Sequence, residues 1–189
     1  VLRVGYVSEA LAKALNIPDE EIEMIKYAGF FHDIGKIGVP DDILKKPGKL
    51  TNEEFDSIKK HSEIGAEIIK PINFFKSVVD GIKYHHERWD GRGYPQQLKG
   101  AEIPLVARII SVADVFDVIV SPRPYKPAQS NQEALNEIVK NSGTQFDPQV
   151  VEAFQQLYQE GKIDTIYSQV EQSPSLALTQ TLKTTQNHS

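Results

Sequence analysis

Four of the five histidines of this 189-residue chain fall within 55 residues of one another, and this is the feature most suited to chemistry. They are His32, His61, His85 and His86. A lone histidine on an apolar helix face is more often a core or capping residue than a metal ligand. Four so close in sequence favour a metal centre. Because the chain has no cysteine, its ligands must be nitrogen and oxygen.

Two aspartates are candidates to complete this centre. Asp33 directly follows His32, and Asp114 lies in the most apolar stretch of the chain. A buried carboxylate costs several kcal/mol unless it is paired or bound to a cation, so a metal is a suitable partner for both. The alternatives are that Asp33 is a solvated residue at a helix end, and that Asp114 pairs with a lysine or with Arg108.

The adjacency of His32 to Asp33, and of His85 to His86, bears on the number of ions. Neighbouring residues on a helix point about 100° apart, so each pair is poorly placed to chelate one ion. The sequence therefore predicts two or more metals. Two divalent ions about 4 Å apart suit attack on a phosphorus ester, because they lower the pKa of bound water toward about 7. Imidazole and carboxylate ligands suit iron, manganese, zinc, cobalt or nickel.

Phosphate chemistry also needs cations that do not bind metal. Lys36 follows Asp33 by three residues, so a turn would bring its ammonium to the same side of the predicted metal centre. Arg123 and Lys126 lie in a proline-rich segment after the helix that carries Asp114, and we expect them to hold phosphate oxygens. The alternative for Lys36 is an ordinary solvated lysine.

The loop at residues 87–104 directly follows the paired histidines and is rich in glycine and proline. Tyr94 and Trp89 in this loop could stack on a nucleic base, or they could pack the loop onto the rest of the protein. For Trp89 we favour packing. Tyr94 remains a candidate for substrate binding.

The elements that must position these residues are helices, because apolar residues recur three or four apart and strand-like alternation is nowhere sustained. Residues 16–19 separate the first two helices, which should lie antiparallel, with Asp19 capping the second. Thr51 and Glu54 predict a capping box that opens a later helix. Asp147 is the predicted cap of a helix over 149–160.

The apolar stripes of four helices run into the residues that could do chemistry. These stripes are Ile22, Ile25 and Gly29 before His32; Ile64 and Ile68 after His61; Phe75, Val78, Val79 and Ile82 before His85; and residues 103–116 around Asp114. The last stretch is apolar on every side, which is typical of a central buried helix. The pattern predicts that the imidazoles and carboxylates converge on one core.

Length and composition indicate one domain with an appendage. We expect the domain to occupy residues 1–160. Residues 161–189 are rich in Ser, Thr, Gln and Asn and predict a flexible tail. No apolar run is long enough to span a membrane, and a net charge of -5 argues against DNA or an anionic membrane as a partner. We expect a cytoplasmic protein.

Taken in order, these residues resemble the HD-GYP family of bacterial proteins. The likeness is carried by Phe31–Gly38, which reads FHDIGKIG, and by His85–Pro95, which reads HHERWDGRGYP. Shorter matches at 111–114, 123–125 and 143–148 extend it from Val1 to about Tyr158. A His-Asp pair alone is a weak signal, whereas this ordered set is specific.

The resemblance implies an all-α HD-domain helical bundle with a GYP loop, which is the loop that contains Gly93, Tyr94 and Pro95. It also implies hydrolysis of cyclic di-GMP to pGpG, and in some members to GMP, in bacterial signalling. The family site holds two or three divalent ions, for which we expect iron or manganese before zinc, cobalt or nickel. By position, the residues that resemble metal ligands are His32, Asp33, His61, His85, His86 and Asp114, with Asp33 bridging two ions. Lys36, Arg123 and Lys126 resemble the phosphate-binding groups.

Some features of the family are not in this sequence. Members usually begin the first helix with a further histidine, and trinuclear members add a glutamate one turn earlier. Both would precede Val1, so we expect an N-terminally truncated domain and a regulatory domain upstream. Pro122 stands where many relatives carry an aspartate.

Two alternative functions stay open at this point. One is a signalling module that binds a cyclic dinucleotide, or a protein partner through the GYP loop, without turnover. The other is an HD phosphohydrolase of another nucleotide. The GYP loop favours a cyclic dinucleotide.

Overall fold

The computed structural model describes residues 1–122 and 128–172, and every regular element in these ranges is helical, which confirms the predicted all-α class. The α-helices are α1 (Leu2–Ala14), α2 (Asp19–Phe31), α3 (Asp41–Leu44), α4 (Asn52–Lys59), α5 (His61–Ile69), α6 (Val79–Tyr84), α7 (Leu105–Val120), α8 (Asn131–Lys140), α9 (Pro148–Gln159) and α10 (Lys162–Glu171). Three 3-10 helices are interspersed among them: Ile34–Gly38, Asn73–Val78 and Gly100–Glu102. None of the helices in the described ranges is both long enough and apolar enough to cross a membrane.

Helix α7 is the centre of the bundle because apolar residues cover most of its circumference. Ile109, Ile110, Val112 and Phe116 are fully buried. Helices α1, α2, α6, α8 and α9 pack around it. The buried helix predicted over 103–116 is therefore present, and it continues to Val120.

Helices α1 and α2 pack closely enough that only glycine fits where they meet. A Cβ atom added at Gly29, near the end of α2, would lie 2.8 Å from the Cα of Gly5, near the start of α1. The two helices are therefore antiparallel, as predicted. The cap is different, because α2 begins at Asp19 itself and its N-cap residue is Pro18. Asp19 instead places a negative charge in the first turn, where it stabilises the helix dipole.

Two predicted faces differ in detail. The buried face of α5 continues from His61 through Gly65 and Ile69, whereas Ile68 is 39% exposed. Apolar type alone did not reveal this, since the buried face includes a glycine whose missing side chain permits close packing. The segment that leads to His85 is not one helix, because Asn73–Val78 is 3-10 and only Val79–Tyr84 is α-helical.

The first part of the segment predicted as a flexible tail, from residue 161, is helical. Gly161 adopts a left-handed backbone conformation (φ +70°), which glycine tolerates, and α10 follows it directly. Ile163, Tyr167 and Val170 are buried against the bundle. Their spacing of three and four residues is an amphipathic stripe, which the polar composition of the segment concealed. The rest of the predicted tail, residues 173–189, lies outside the described residues.

Candidate metal centre

Four segments bring the six predicted ligands together. His32 and Asp33 follow the last residue of α2, and His61 begins α5. His85 and His86 follow the end of α6, and Asp114 lies in the middle of α7. These side chains come from separate segments that pack together, so their positions depend on the packing of the bundle.

Three of the histidines are oriented by the same contact. Each donates from Nδ1 to the carbonyl oxygen three residues earlier in its own chain segment. The contacts are His32 to Gly29 at 2.8 Å, His61 to Ile58 at 2.6 Å and His85 to Ile82 at 2.7 Å. A neutral imidazole that donates from Nδ1 has its lone pair on Nε2. In all three residues Nε2 therefore points away from the carbonyl that Nδ1 contacts and is the nitrogen that could bind a metal.

The Nε2 atoms of His61, His85 and His86 form a compact group. His61 Nε2 lies 3.2 Å from His86 Nε2 and 3.5 Å from His85 Nε2. Since His61 and His85 both donate from Nδ1, the lone pairs of their Nε2 atoms approach each other without a proton between them. A cation that accepts both lone pairs would remove this repulsion. These three histidines are accordingly a group that could hold a metal ion.

Asp33, Asp114 and His32 form the other half of the cluster. His32 Nε2 lies 3.4 Å from a carboxylate oxygen of Asp33 and 3.4 Å from one of Asp114. Neither contact makes a hydrogen bond, so this nitrogen is buried without a partner. The second oxygen of Asp33 lies 3.5 Å from His61 Nε2. Asp33 therefore joins the two halves, which is the position predicted for a bridging carboxylate.

Burial and charge divide these groups into two protonation states. Burial lowers the pKa of His61 and His85 and takes that of His86 to about 3, so these imidazoles are neutral at physiological pH. Burial also acts to lower the pKa of His32, but Asp114 and Asp33 outweigh it and raise this pKa to about 10. Burial acts to raise the pKa of Asp33, yet His32 and Lys36 hold it well below its usual range.

These observations fit a divalent metal. Neutral imidazole nitrogens and ionised carboxylates are the forms that bind metal ions, and both are present in one cluster. A cation would satisfy the facing lone pairs of His61 and His85, and it would satisfy the unpartnered nitrogen of His32 once that nitrogen has lost its proton. The alternative partner considered for Asp114 is otherwise engaged, because Arg108 pairs with Asp147 at 2.5 Å.

Lys36 lies at the edge of this cluster. Its Nζ donates to Asp33 at 2.6 Å, and its side chain is 43% exposed. The 3-10 helix that carries Lys36 sits directly on α5, since a Cβ atom at Gly35 would overlap the carbonyl oxygen of His61. Close packing at this glycine fixes Asp33 and Lys36 relative to His61.

The GYP loop folds back onto the paired histidines. Tyr94 stacks on His86, with ring centroids 4.8 Å apart and an interplanar angle of 29°. Glu87 is buried and accepts hydrogen bonds from the backbone nitrogens of Gln96 at 2.6 Å and Leu98 at 3.1 Å. The loop therefore supports a candidate ligand directly. The sequence did not single out Glu87, although an acidic residue between a histidine pair and a run of turn residues is a usable signal.

The two aromatic residues of the loop have different surroundings. Trp89 donates its backbone N–H to the carbonyl of Gln145 at 3.1 Å, and its ring lies 5.8 Å from the guanidinium carbon of Arg108. This agrees with the packing role favoured for Trp89. Tyr94 has its ring stacked on His86, so its structural contact is with the candidate centre.

A cavity of about 640 Å³ opens beside His85, His86 and Asp114. Its lining also includes residues that sequence reasoning missed, namely Phe55, Lys59, Lys60, Arg88 and Arg92. Two of these cations are already engaged, because Arg88 and Arg92 both pair with Asp90. An aromatic residue and two lysines shortly before His61 were the available signal. The predicted phosphate-binding residues Arg123 and Lys126 lie outside the described residues.

Comparison with known proteins places this arrangement in a family. The HD domain family matches residues 2–150. A cyclic di-GMP phosphodiesterase of Thermotoga maritima is 46% identical over 160 residues, covering 84% of this chain and 44% of that protein. The cyclic di-GMP phosphodiesterase response regulator RpfG of Xanthomonas campestris is 45% identical and covers 80% and 40%. The 3'3'-cGAMP-specific phosphodiesterase 2 of Vibrio cholerae is 39% identical and covers 80% and 30%.

Solved structures show the same fold. The cyclic GMP-AMP-specific phosphodiesterase V-cGAP3 of V. cholerae superposes with a TM-score of 0.71 at 23% identity, over 93% of this chain and 49% of that one. The HD domain of the L. monocytogenes phosphodiesterase PgpH superposes with a TM-score of 0.56 at 18% identity, over 90% and 89%. The chain spans less than half the length of the curated relatives named above. From the match over residues 2–150 and these relatives, the chain belongs to the HD domain family, as its motifs predicted.

Proposed function

We propose that this HD domain is a metal-dependent phosphodiesterase that hydrolyses cyclic di-GMP to pGpG and onward to GMP. One observation carries the proposal: four imidazoles and two carboxylates form one cluster, and three of them, His85, His86 and Asp114, line a cavity of about 640 Å³. The names of the relatives at 45–47% identity support the choice of substrate. The GYP loop beside the cavity supports it further.

The proposed ligands are His32, Asp33, His61, His85, His86 and Asp114, and the proposed cofactor is two or three divalent ions, with iron or manganese first. Such ions supply a Lewis acid for a phosphoryl oxygen and an acidified water as nucleophile. The protein's part is to keep the ligand atoms fixed before substrate arrives. The Nδ1 contacts of three histidines and the stacking of Tyr94 on His86 serve this purpose.

Among the residues that the structure describes, Lys36 is the proposed phosphate-binding group. Its ammonium already lies 2.6 Å from Asp33 and is partly exposed, so it can reach a phosphate oxygen placed at the same carboxylate. A fixed positive charge is most effective where negative charge grows in the transition state, because no reorganisation is then needed. Arg123 and Lys126 stay predictions for the same task.

The test is an anaerobic turnover assay of the protein loaded with ferrous or manganous ion. Cyclic di-GMP should disappear and pGpG, then GMP, should appear on chromatography. Tight binding with no product would instead favour the non-catalytic signalling module. A second candidate substrate is 3'3'-cGAMP, because three relatives at 37–41% identity are named as phosphodiesterases specific for it. If the protein hydrolyses only that compound, 3'3'-cGAMP replaces cyclic di-GMP as the proposed substrate.

A regulatory domain in the parent chain, protein partners at the GYP loop and a cytoplasmic location also belong to this proposal. The chain's relatives extend well beyond the matched region, and one is named a response regulator. Pull-down of the full-length protein with and without the GYP loop would test the partner prediction.

A further inference from the structure

The cavity beside the candidate centre is also lined by an aromatic ring with an unexplained exposure. Phe55, on α4, lines the cavity and is 45% exposed. An exposed phenyl ring loses the free energy that burial of its apolar surface would give. A ring in this position either binds an apolar group of a ligand or has no binding partner at all.

The surroundings of Phe55 hold the ring in place. The ammonium of Lys59, one turn later on α4, lies 4.7 Å from the ring centroid. The ring meets Tyr94 edge-on, with centroids 6.4 Å apart and planes at 81°. A ring fixed on two sides can bind a planar ligand without first losing conformational freedom.

Tyr94 is less available for the same task. Its ring is half-buried and stacks on the proposed ligand His86, whereas Phe55 is 45% exposed and, among the described residues, has only the lysine ammonium over its ring. Phe55 lies one ring further from the candidate ligands, beyond Tyr94. A base is separated from its phosphate by a sugar, so an aromatic platform for a base belongs beyond the ligand cluster and not within it.

We propose that Phe55 is the residue on which a purine base of the substrate stacks, and that Lys59 positions its ring. This inference rests on the proposed function, since it takes the cavity to bind a cyclic dinucleotide. Every base presents a π-face, so stacking on an aromatic side chain tolerates a change of base. Phe55 therefore contributes affinity for purine nucleotides in general and does not select guanine.

The experiment measures binding and turnover separately for the manganese-loaded protein. A hydrolysis-resistant phosphorothioate analogue of cyclic di-GMP is titrated by calorimetry into the unmodified protein, Phe55→Ala and Phe55→Trp. We expect Phe55→Ala to raise the Kd about 10-fold, within the range of base–aromatic stacking, and Phe55→Trp to restore it. The analogue of cyclic GMP-AMP should show the same loss.

The matched control is Phe74→Ala. Phe74 is 60% exposed but lies on the 3-10 helix Asn73–Val78, in contact with Tyr27 and Phe75. Its substitution should leave the Kd unchanged. In steady-state turnover, Phe55→Ala should raise KM while kcat and metal content stay near those of the unmodified protein.

Three results would overturn the inference. If the unmodified protein hydrolyses cyclic di-GMP and Phe55→Ala binds the analogue equally tightly, the inference falls and the proposed function stands. The inference also falls if Phe55→Ala lowers the metal content or kcat but leaves the Kd for the analogue unchanged. Phe55 would then serve only to support Tyr94. If the unmodified protein neither binds nor hydrolyses cyclic dinucleotides, both proposals fall.

Discussion

At the scale of the residue, the site depends on the different tasks of the two nitrogens in each imidazole. Nδ1 of His32, His61 and His85 donates to a local carbonyl, which leaves Nε2 for the cluster. Asp33 is the carboxylate nearest to both halves, with His32 at 3.4 Å and His61 at 3.5 Å. Each of these side chains has its orientation set before a ligand binds.

Lys36 should affect turnover without affecting metal binding. Substituting Lys36 by alanine removes a cation beside the proposed phosphate position but none of the proposed ligands. We expect metal content to stay unchanged and kcat/KM to fall roughly 100-fold, as for loss of one charge-stabilising donor. The control is Lys45→Ala, because Lys45 makes a similar 2.6 Å contact with Asp41 on exposed α3. Loss of metal in Lys36→Ala would contradict this role.

Metal binding should release a proton from His32. The pKa of His32 is raised to about 10, so this residue is protonated at pH 7, and an imidazole must be neutral to bind a metal. His61 and His86 are already neutral, since their pKa values are lowered. The affinity for manganous ion should therefore rise about 10-fold per pH unit between pH 7 and 9. Calorimetry in buffers of different ionisation enthalpy measures this, and a binding enthalpy that does not vary with buffer would contradict it.

At the scale of the element, the site is fixed by the contact of the 3-10 helix Ile34–Gly38 with α5. Gly35 and Gly65 face each other there, with the added Cβ of Gly65 only 3.2 Å from the backbone nitrogen of Gly35. The side chains that matter lie just outside this contact, at Asp33, Lys36 and His61. Backbone approach at two glycines thus determines the distances among charged groups.

Gly35→Ala should separate these elements. The new Cβ would overlap the backbone oxygen of His61, which cannot rotate away. We expect unfolding free energy to fall by about 1–3 kcal/mol, as for overpacked sites, together with weaker manganese binding. Gly38→Ala is the control, because the nearest atoms to its Cβ would all belong to the side chain of Ile64 and none to the backbone. Chemical denaturation and metal titration measure both effects; unchanged metal affinity in Gly35→Ala would refute the positional argument.

Sequence patterns predicted the elements more reliably than their contacts. The stripe before His32, the capping box at Thr51 and Glu54, and the Asp147 cap all follow from local rules and are present. The prediction for the buried face of α5 was wrong: it included Ile68 and left out Gly65, because glycine carries no hydrophobic signal. Phe55 was overlooked for a related reason: exposure beside a cavity depends on elements distant in sequence.

At the scale of the whole molecule, α10 closes the bundle over its first and central helices. Tyr167 is buried, donates to Asp117 of α7 at 3.1 Å and meets Phe116 edge-on at 5.6 Å. Arg3 of α1 pairs with the same Asp117 at 2.6 Å. A segment with polar composition therefore links both ends of the described chain to the helix that carries Asp114.

Tyr167→Ala should destabilise the whole domain. It removes a buried ring and leaves Asp117 with one partner fewer, so we expect a loss of about 3–5 kcal/mol in unfolding free energy, the range for large aromatic truncations. Gln169→Ala, at an exposed position of the same helix, should change stability little. Urea denaturation of both variants measures the difference. Equal stability would mean that α10 is dispensable, as the predicted tail boundary at residue 161 implied.

The central claim is that six side chains from four segments form one centre for divalent metal. Its most direct test is the metal content of protein purified anaerobically with manganous ion, measured by mass spectrometry for the unmodified chain, His85→Ala, Asp114→Ala and the exposed control Asp41→Ala. We predict at least two ions per chain in the unmodified protein and the control. In the two ligand variants we predict less bound metal. Their affinity for manganous ion should fall by more than the roughly 100-fold loss that is caused by changing a residue next to a ligand. Equal metal content in all four proteins would contradict this claim.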